Sequence, residues 1–359
     1  MNVIKQKTTY TAIGLMSGTS LDGLDVALCS FTKTKTEWHY TIIDAKTYLY
    51  SSRFKGWLKG AHILDNETVL TTHVELGRIS AQKVEVLLYD KKDYKVDVIA
   101  SHGHTVFHQP QNKFTYQIGD GATIAALTGI TTVCDFRSTD IALGGQGAPL
   151  VPIGDELLFN QYDACLNIGG IANISFKHNK KRVAFDVCPA NMVFNYYADQ
   201  AGKPYDKGGK LAAKGKVNDT ALKKLNALSF YKDYNSKSLG REWVDEEVIA
   251  LLEDTDITLC DKLATALEHS AFQVAEVLNH FKLKNVLITG GGAYNAYFLE
   301  RIKHYTPCQL ILPDDKTIQF KEALIFSFLG VLRLRGEINC LKSVTGARKD
   351  SCSGAVYLG

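Results

Sequence analysis

The chain has 359 residues, 45% of them hydrophobic and 22% charged, with a net charge of +3. It is longer than one hydrophobic core usually serves, so two domains are expected of an otherwise ordinary globular composition. Scattered basic residues argue against a nucleic-acid or membrane-surface partner, and the apolar stretch 322–332 is far too short to span a bilayer.

Eight cysteines form no CxxC pair and no regular framework, so they read as buried thiols in a reducing compartment. The expected location is cytoplasmic. Lys5 and Lys7 precede an apolar stretch that runs directly into a glycine turn, which reads as a first strand and not as a signal peptide.

In chain order, strands are predicted near 9–16, 24–33 and 38–49, rich in β-branched and aromatic residues. An amphipathic helix is predicted over 66–90, with Val69, Val74, Leu76, Ile79, Val84 and Leu87 at helical spacings. A strand at 96–101 follows, then a glycine turn, a hairpin to Ile118, a short helix near 121–129 and a strand at 130–136. The pattern then restarts at 164–177, where two apolar runs flank a second glycine turn, and continues with a strand at 182–187. Helices are predicted near 190–201, 243–252 and 258–282. A buried strand from 285 ends in three glycines, followed by a helix at 295–305, a strand at 308–314 and a last helix at 321–335. The same order twice suggests two related α/β domains facing each other across a cleft, where ligands usually bind.

The first turn, Gly18, Thr19, Ser20, Leu21, Asp22, Gly23, with Leu24 and Asp25 behind it, offers hydroxyls and backbone N–H groups that suit a phosphate. Asp22 fits beside a phosphate when Mg²⁺ lies between them, since Mg²⁺ is held by a carboxylate, water and phosphate oxygens. The same stretch also reads as a long hairpin loop. Asn167, Gly169 and Gly170 form the second such turn, and Gly290, Gly291 and Gly292 would let a planar base approach the backbone. GxxxxGK[ST] is absent, so the chain is not a P-loop protein. His102, His104 and His108 invite a metal reading, but Gly103 between the first two implies a turn.

The segments "GLMSGTSLDGLDVAL", "SHGHTVFHQP", "QIGDGATIAALTGI", "DFRSTDIALGGQGAPLVP", "LNIGGIANIS" and "LITGGGAYN" occur in an order that resembles the anhydro-N-acetylmuramic acid kinase family over essentially the whole chain. The resemblance implies two ribonuclease-H-like α/β domains of the actin-like ATPase and sugar kinase fold, with an interdomain active-site cleft. The expected boundaries are 1–160 plus 322–359 for one lobe and 161–321 for the other.

It implies an ATP- and Mg²⁺-dependent kinase acting on an amino sugar in peptidoglycan recycling. The family reaction phosphorylates 1,6-anhydro-N-acetylmuramic acid while water opens the anhydro bond, giving N-acetylmuramic acid 6-phosphate. A homodimer is also implied.

Attack by water needs a base that is ionised at neutral pH, and the residue matching the family base is Asp186 in "FDVCPAN". Glu322 matches a family glutamate that points at the sugar; at a helix start it would also suit the helix dipole. Arg137 is the candidate for gripping the lactyl carboxylate, its alternative being an ion pair with Asp135 or Asp140. His102 and Thr105 become hydrogen-bond partners for the sugar, and Asn191 is retained from the motif. Cys188 and Ala190 stand where the family carries glycines, and their Cβ atoms are expected to narrow the pocket or alter a turn. A kinase for a related sugar and a non-sugar ATPase of the same fold are the competing expectations.

Overall fold

The computed structural model describes residues 7–18, 21, 23–234 and 237–359. Thr19, Ser20 and Asp22 of the first glycine turn lie outside them. The chain forms two compact units, 7–158 with 320–359, and 159–319, as far as the described residues extend.

In the first unit, β1 (Thr9–Ser17), β2 (Gly23–Lys33) and β3 (Trp38–Leu49) form an antiparallel meander. β1 and β2 are buried along most of their length, as expected for strands covered on both faces, whereas β3 is largely half-exposed. β4 (Val98–Ser101) pairs parallel to β1. β5 (His104–Gln109) and β6 (Phe114–Ile118) make a separate hairpin. β7 (Thr132–Cys134) lies parallel to β4; the sheet order is completed when the last strand of the chain, Ala355–Tyr357, pairs antiparallel to β7. The helix Asn66–Leu88 starts at Asp65, whose carboxylate accepts the Thr68 N–H at 3.0 Å. Its buried stripe runs through Val69, Thr72, Leu76, Ser80, Val84 and Leu87. Val74, five residues after Val69, falls off that stripe and is exposed.

The second unit repeats this plan. β8 (Ala164–Ile168), β9 (Ile171–His178) and β10 (Lys181–Pro189) form the meander, and β11 (Asn285–Thr289) and β12 (Gln309–Ile311) extend it in parallel from β8. In each unit the first five sheet strands therefore lie in the order third, second, first, fourth, fifth, with the first three antiparallel and the last two parallel. That is the ribonuclease-H-like topology, present twice. The core of this unit gathers Leu166, Ile174, Phe176, Phe194, Leu267, Val286 and Phe298.

Two elements differ in extent from the sequence reading. The last long helix begins at Asp315 and not at 321, because Asp314 accepts the Thr317 N–H at 3.1 Å and its hydroxyl at 2.8 Å. Its backbone departs from helical geometry at Phe320 (φ −115°, ψ 16°), where the division between units falls. The helical stretch 241–253 contains a π-helical segment, Val244–Ile249. All eight cysteines are free, five of them buried. Among the described residues, no helix is long and apolar enough to cross a membrane.

Candidate active site

The first unit collects its candidate residues at the carboxyl ends of its parallel strands, where α/β sheets bind ligands. β1 ends at Ser17, β4 is followed by His102, and β7 leads to Arg137. Gly103 turns the chain between β4 and β5 at φ +71°, and a Cβ there would meet the Ile118 carbonyl oxygen at 2.3 Å. Only glycine meets both demands, and this turn sets His102 and His104 in place. Ser17 Oγ lies 3.3 Å from His104 Nδ1 and accepts the Tyr50 hydroxyl at 2.9 Å.

His102 is buried and both of its ring nitrogens are committed. Nδ1 lies 2.8 Å from Gly103 O, a pure acceptor, so Nδ1 carries the proton. Nε2 then accepts from Arg137, at 3.2 Å from Nε and 2.8 Å from Nη2. Burial, aided by the Arg137 charge, lowers the imidazole pKa to about 3, so the ring is neutral at physiological pH. Both ring nitrogens thus have protein partners in this structure. The ring orients Arg137, whose Nη1 also donates to Gly147 O at 2.7 Å. Each terminal nitrogen carries a further N–H beyond these bonds. Asp140, one alternative partner for Arg137, is instead buried and accepts the Gly147 N–H at 2.8 Å and the Thr345 hydroxyl at 2.8 Å. Asp135 takes the Ser138 hydroxyl at 2.5 Å.

Glu322 is positioned by a close contact between helix and sheet. A Cβ on Gly14 of β1 would lie 1.8 Å from the carbonyl oxygen of Ala323, its neighbour on the 315–335 helix. At the position immediately before Glu322, the buried Lys321 ammonium meets the Asp155 carboxylate at 2.7 Å. Glu322 is solvent-exposed, yet protein atoms crowded around its carboxyl raise it above its ordinary range, the Arg137 charge opposes this, and Asp25 adds to it. Glu322 therefore lies within electrostatic reach of both Arg137 and Asp25. Asp25 itself accepts the Thr47 hydroxyl at 2.5 Å. Thr105 sits on β5 beside a bulge, 3.4 Å from Gln117 Nε2. Around the first turn, the Leu21 N–H returns to Gly18 O at 3.3 Å, Leu21 adopts φ +57°, and Gly23 and Leu24 open β2 in buried positions.

In the second unit, Asn167 is the penultimate residue of β8, Gly169 and Gly170 form the following turn, and Gly290, Gly291 and Gly292 follow β11, the parallel neighbour. Asn191 opens the helix Asn191–Gln200, its N–H bonded to Gly169 O at 3.2 Å and its Nδ2 to Ile168 O at 3.4 Å. All seven residues are thus brought to one edge of this sheet. A Cβ on Gly169 or Gly170 would make only ordinary contacts, the nearest at 3.6 Å, and Gly170 is exposed to solvent at the turn. Gly291 is comparably open, with Asn191 Nδ2 at 3.8 Å. Gly292 is not: a Cβ there would lie 2.1 Å from Ile168 Cγ2. Its lack of a side chain serves packing against β8, a reason the glycine run alone did not reveal.

Asp186 lies on β10 at a register shift opposite β9. Its Oδ2 accepts the Leu239 N–H at 2.8 Å, and its own N–H donates to Lys237 O at 3.0 Å. Its other oxygen, Oδ1, has no hydrogen-bond partner among the described residues. Burial raises the carboxyl above its ordinary range, opposed by the Leu239 bond. Cys188 and Ala190 are core residues next to this carboxylate, and the Cys188 thiol feels its charge. Both are fully buried in the core, Cys188 Sγ pointing to Ser270 O at 3.5 Å, and neither has a positive φ. The expected narrowing of the pocket is therefore absent, because the side chains fill interior space.

With these features in view, the match to known proteins becomes specific. The sequence matches the family model of anhydro-N-acetylmuramic acid kinases across residues 10–359. The chain belongs to the anhydro-N-acetylmuramic acid kinase family. A relative of that name from Saccharophagus degradans is 34% identical over 96% of this chain and 98% of its own length. Another, from Coxiella burnetii, is 36% identical over 97% of each chain. Among solved structures, component A of the (R)-2-hydroxyglutaryl-CoA dehydratase of Acidaminococcus fermentans is 12% identical, covers 90% of this chain and 99% of that one, and has a TM-score of 0.48. No functional argument rests on a likeness that distant.

The protein is a kinase, so its residues can be tested for fit to a nucleotide. The open flank of Gly169–Gly170 beside Asn167 and Asn191 fits a phosphate-bearing ligand, and the half-buried Asp25 supplies a carboxylate near the first turn. Asp22, the candidate Mg²⁺ ligand, lies outside the described residues. Among the described residues no group of three or more His, Cys, Asp or Glu side chains could hold a metal, His102, His104 and His108 included. Lys237, Leu239 and Gly14 contact or abut the candidate residues and were not singled out in the sequence; only the folded chain brings them there.

Proposed function

We propose that this kinase phosphorylates 1,6-anhydro-N-acetylmuramic acid with ATP, while water opens the anhydro bridge, giving N-acetylmuramic acid 6-phosphate and ADP in cell-wall recycling. The observation that carries this reading is the Asp186 carboxylate. One oxygen is anchored by the Leu239 N–H, and the other has no hydrogen-bond partner among the described residues. A fixed carboxylate with one open oxygen can orient a water and accept its proton as the water attacks the anomeric carbon. Leaving as O6, the bridge oxygen takes the phosphoryl group, so one bond is hydrolysed and one phosphoester formed.

Arg137, held in place by His102 and Gly147 O, presents its remaining N–H groups to the lactyl carboxylate. Glu322 and Thr105 bind the sugar hydroxyls and N-acetyl group; the Arg137 charge favours the ionised form of Glu322. In the second unit Asn167, Gly169, Gly170, Asn191 and the Gly290–Gly291 backbone are the groups for the nucleotide; in the first unit the glycine turn from Gly18 to Asp25 is the group for its phosphates. Mg·ATP, when bound, supplies the phosphoryl group and the divalent charge that neutralises its oxygens. We assign Mg²⁺ to Asp22, with Asp25 nearby in sequence.

The test is product analysis by mass spectrometry after turnover in ¹⁸O-labelled water. The expected product is ring-opened, phosphorylated and labelled at the anomeric oxygen. A phosphorylated sugar that retains the anhydro bridge, or ATP hydrolysis that does not depend on the sugar, would refute the proposal.

A further inference from the structure

Asp186 is gripped from a segment that has no regular secondary structure of its own. Residues 237–240 belong to neither helix nor strand, yet the Lys237 carbonyl takes the Asp186 N–H and the Leu239 amide donates to its carboxylate. The side chain of Lys237 accounts for how this strap is fixed. Its ammonium donates to Phe230 O at 2.7 Å and to Asp233 O. It also lies over the Phe230 ring at 4.2 Å, with the rings of Tyr234, Tyr231 and Phe185 at 5.7–5.9 Å. Two carbonyls and four aromatic rings thus surround a half-buried cation, the Phe230 ring closest.

We propose that Lys237 is a positioning residue for the reaction: caged by Phe230, Tyr231, Tyr234 and Phe185, it holds the 237–239 strap so that the Leu239 N–H orients the Asp186 carboxylate toward its water. This inference rests on the reading of Asp186 as the base. Phe185 ties the two ends together, since it immediately precedes Asp186 on β10 and also forms a wall of the cage. The ionisable groups around the strap include Asp233 and the two tyrosines on its own side, Cys188 on β10, and His280, stacked on Tyr234 at 4.2 Å. Asp233 favours the charged ammonium against the effect of burial, and the Cys188 thiol is kept protonated by burial.

Lys237→Met keeps the aliphatic stem and removes the donors. The expected result is a kcat about 10-fold or more below wild type, since small misplacements of a reacting group are costly. The KM for ATP should be unchanged, and the acid limb of the kcat–pH profile should move to higher pH because Asp186 loses the bond that favours its ionised form. Lys237→Arg, which can donate to the same carbonyls over the same rings, should recover part of kcat and return the limb toward wild type.

Leu239→Pro removes the amide donor directly and should move the limb in the same direction. An unmoved acid limb in both Lys237→Met and Leu239→Pro overturns the proposal, as does Lys237→Arg performing no better than Lys237→Met. Should Lys237→Met fail to fold, as judged by its thermal melt, the Leu239→Pro profile decides alone. Asp186→Asn separates the two layers of inference. Turnover retained in that variant refutes the base assignment itself, whereas an inactive Asp186→Asn with wild-type behaviour in the other variants refutes only the role of Lys237.

Discussion

Gly14→Ala tests how Glu322 is placed. The added Cβ would lie 1.8 Å from the Ala323 carbonyl oxygen, against the 3.4 Å at which ordinary contact begins. Strand and helix must therefore separate by about 1.6 Å, or tilt to the same effect, because the obstructing atom is backbone and cannot rotate away. Overpacking of this kind costs about 1–3 kcal/mol, and the rigidity of the contact favours the upper end. For a unit of this size, about 3 kcal/mol corresponds to a fall in Tm of roughly 6–12 °C.

The functional effect follows from the same displacement, since Ala323 is the immediate neighbour of Glu322. A shift of this order at a substrate-positioning carboxylate predicts a kcat/KM for the sugar about 100-fold lower. Gly56→Ala is the matched control: it lies in the helix Ser52–Gly60 with nothing within 4 Å of its added Cβ, and should hold or slightly raise Tm. Thermal melts and steady-state kinetics on the two variants are sufficient. Gly14→Ala with wild-type Tm and wild-type kcat/KM would refute the argument.

Asp186→Asn should abolish turnover, by about 100-fold or more, while leaving Mg·ATP binding measured by calorimetry intact. The same substitution should raise Tm at neutral pH. A carboxyl whose folded-state pKa lies above its unfolded value contributes stability below the unfolded pKa and loses it as pH rises through the folded one, so the ionised Asp186 is a liability at pH 7. The gain in Tm should shrink on acidification, and melts across the acid range check it; a gain that grows would contradict the sign. His102→Ala should weaken sugar binding about 10-fold without changing the KM for ATP, and His102→Gln, whose amide oxygen can accept from Arg137, should recover much of the loss. Equal losses in the two variants would speak against an orienting role. Cys188→Gly should cost about 1–3 kcal/mol in a denaturant melt with kcat retained, because the thiol fills core and not the pocket; a changed sugar preference would count against this.

The repeated strand plan could be read from the sequence because its signals are local: β-branched runs, the two glycine turns at Ser17–Gly23 and Asn167–Gly170, and buried strands of parallel type. The start of the 315–335 helix was misjudged because its strongest apolar stretch begins only after Phe320, whereas the cap at Asp314 is a polar signal six residues earlier. Asp186, Arg137 and Asn191 stood out through their motifs. Their supports did not, since a lysine among aromatics or a glycine inside an apolar strand acquires its meaning only from residues far away in the chain. His102 shows this most directly. Its neighbourhood in sequence suggests a ligand for sugar, whereas its link to Arg137 and Gly103 O is seen only in the fold.

The first unit is discontinuous: residues 320–359 complete a body begun at the amino terminus, with Leu324, Phe326, Phe328 and Leu332 buried in it. During synthesis on the ribosome, the strands that emerge first must wait for the last segment before that helix can cover them, whereas 159–319 is contiguous and can complete itself earlier. Truncated or stalled chains would expose the uncovered face of the β1–β4 sheet, so the portion made earliest is the one most dependent on translation reaching its end.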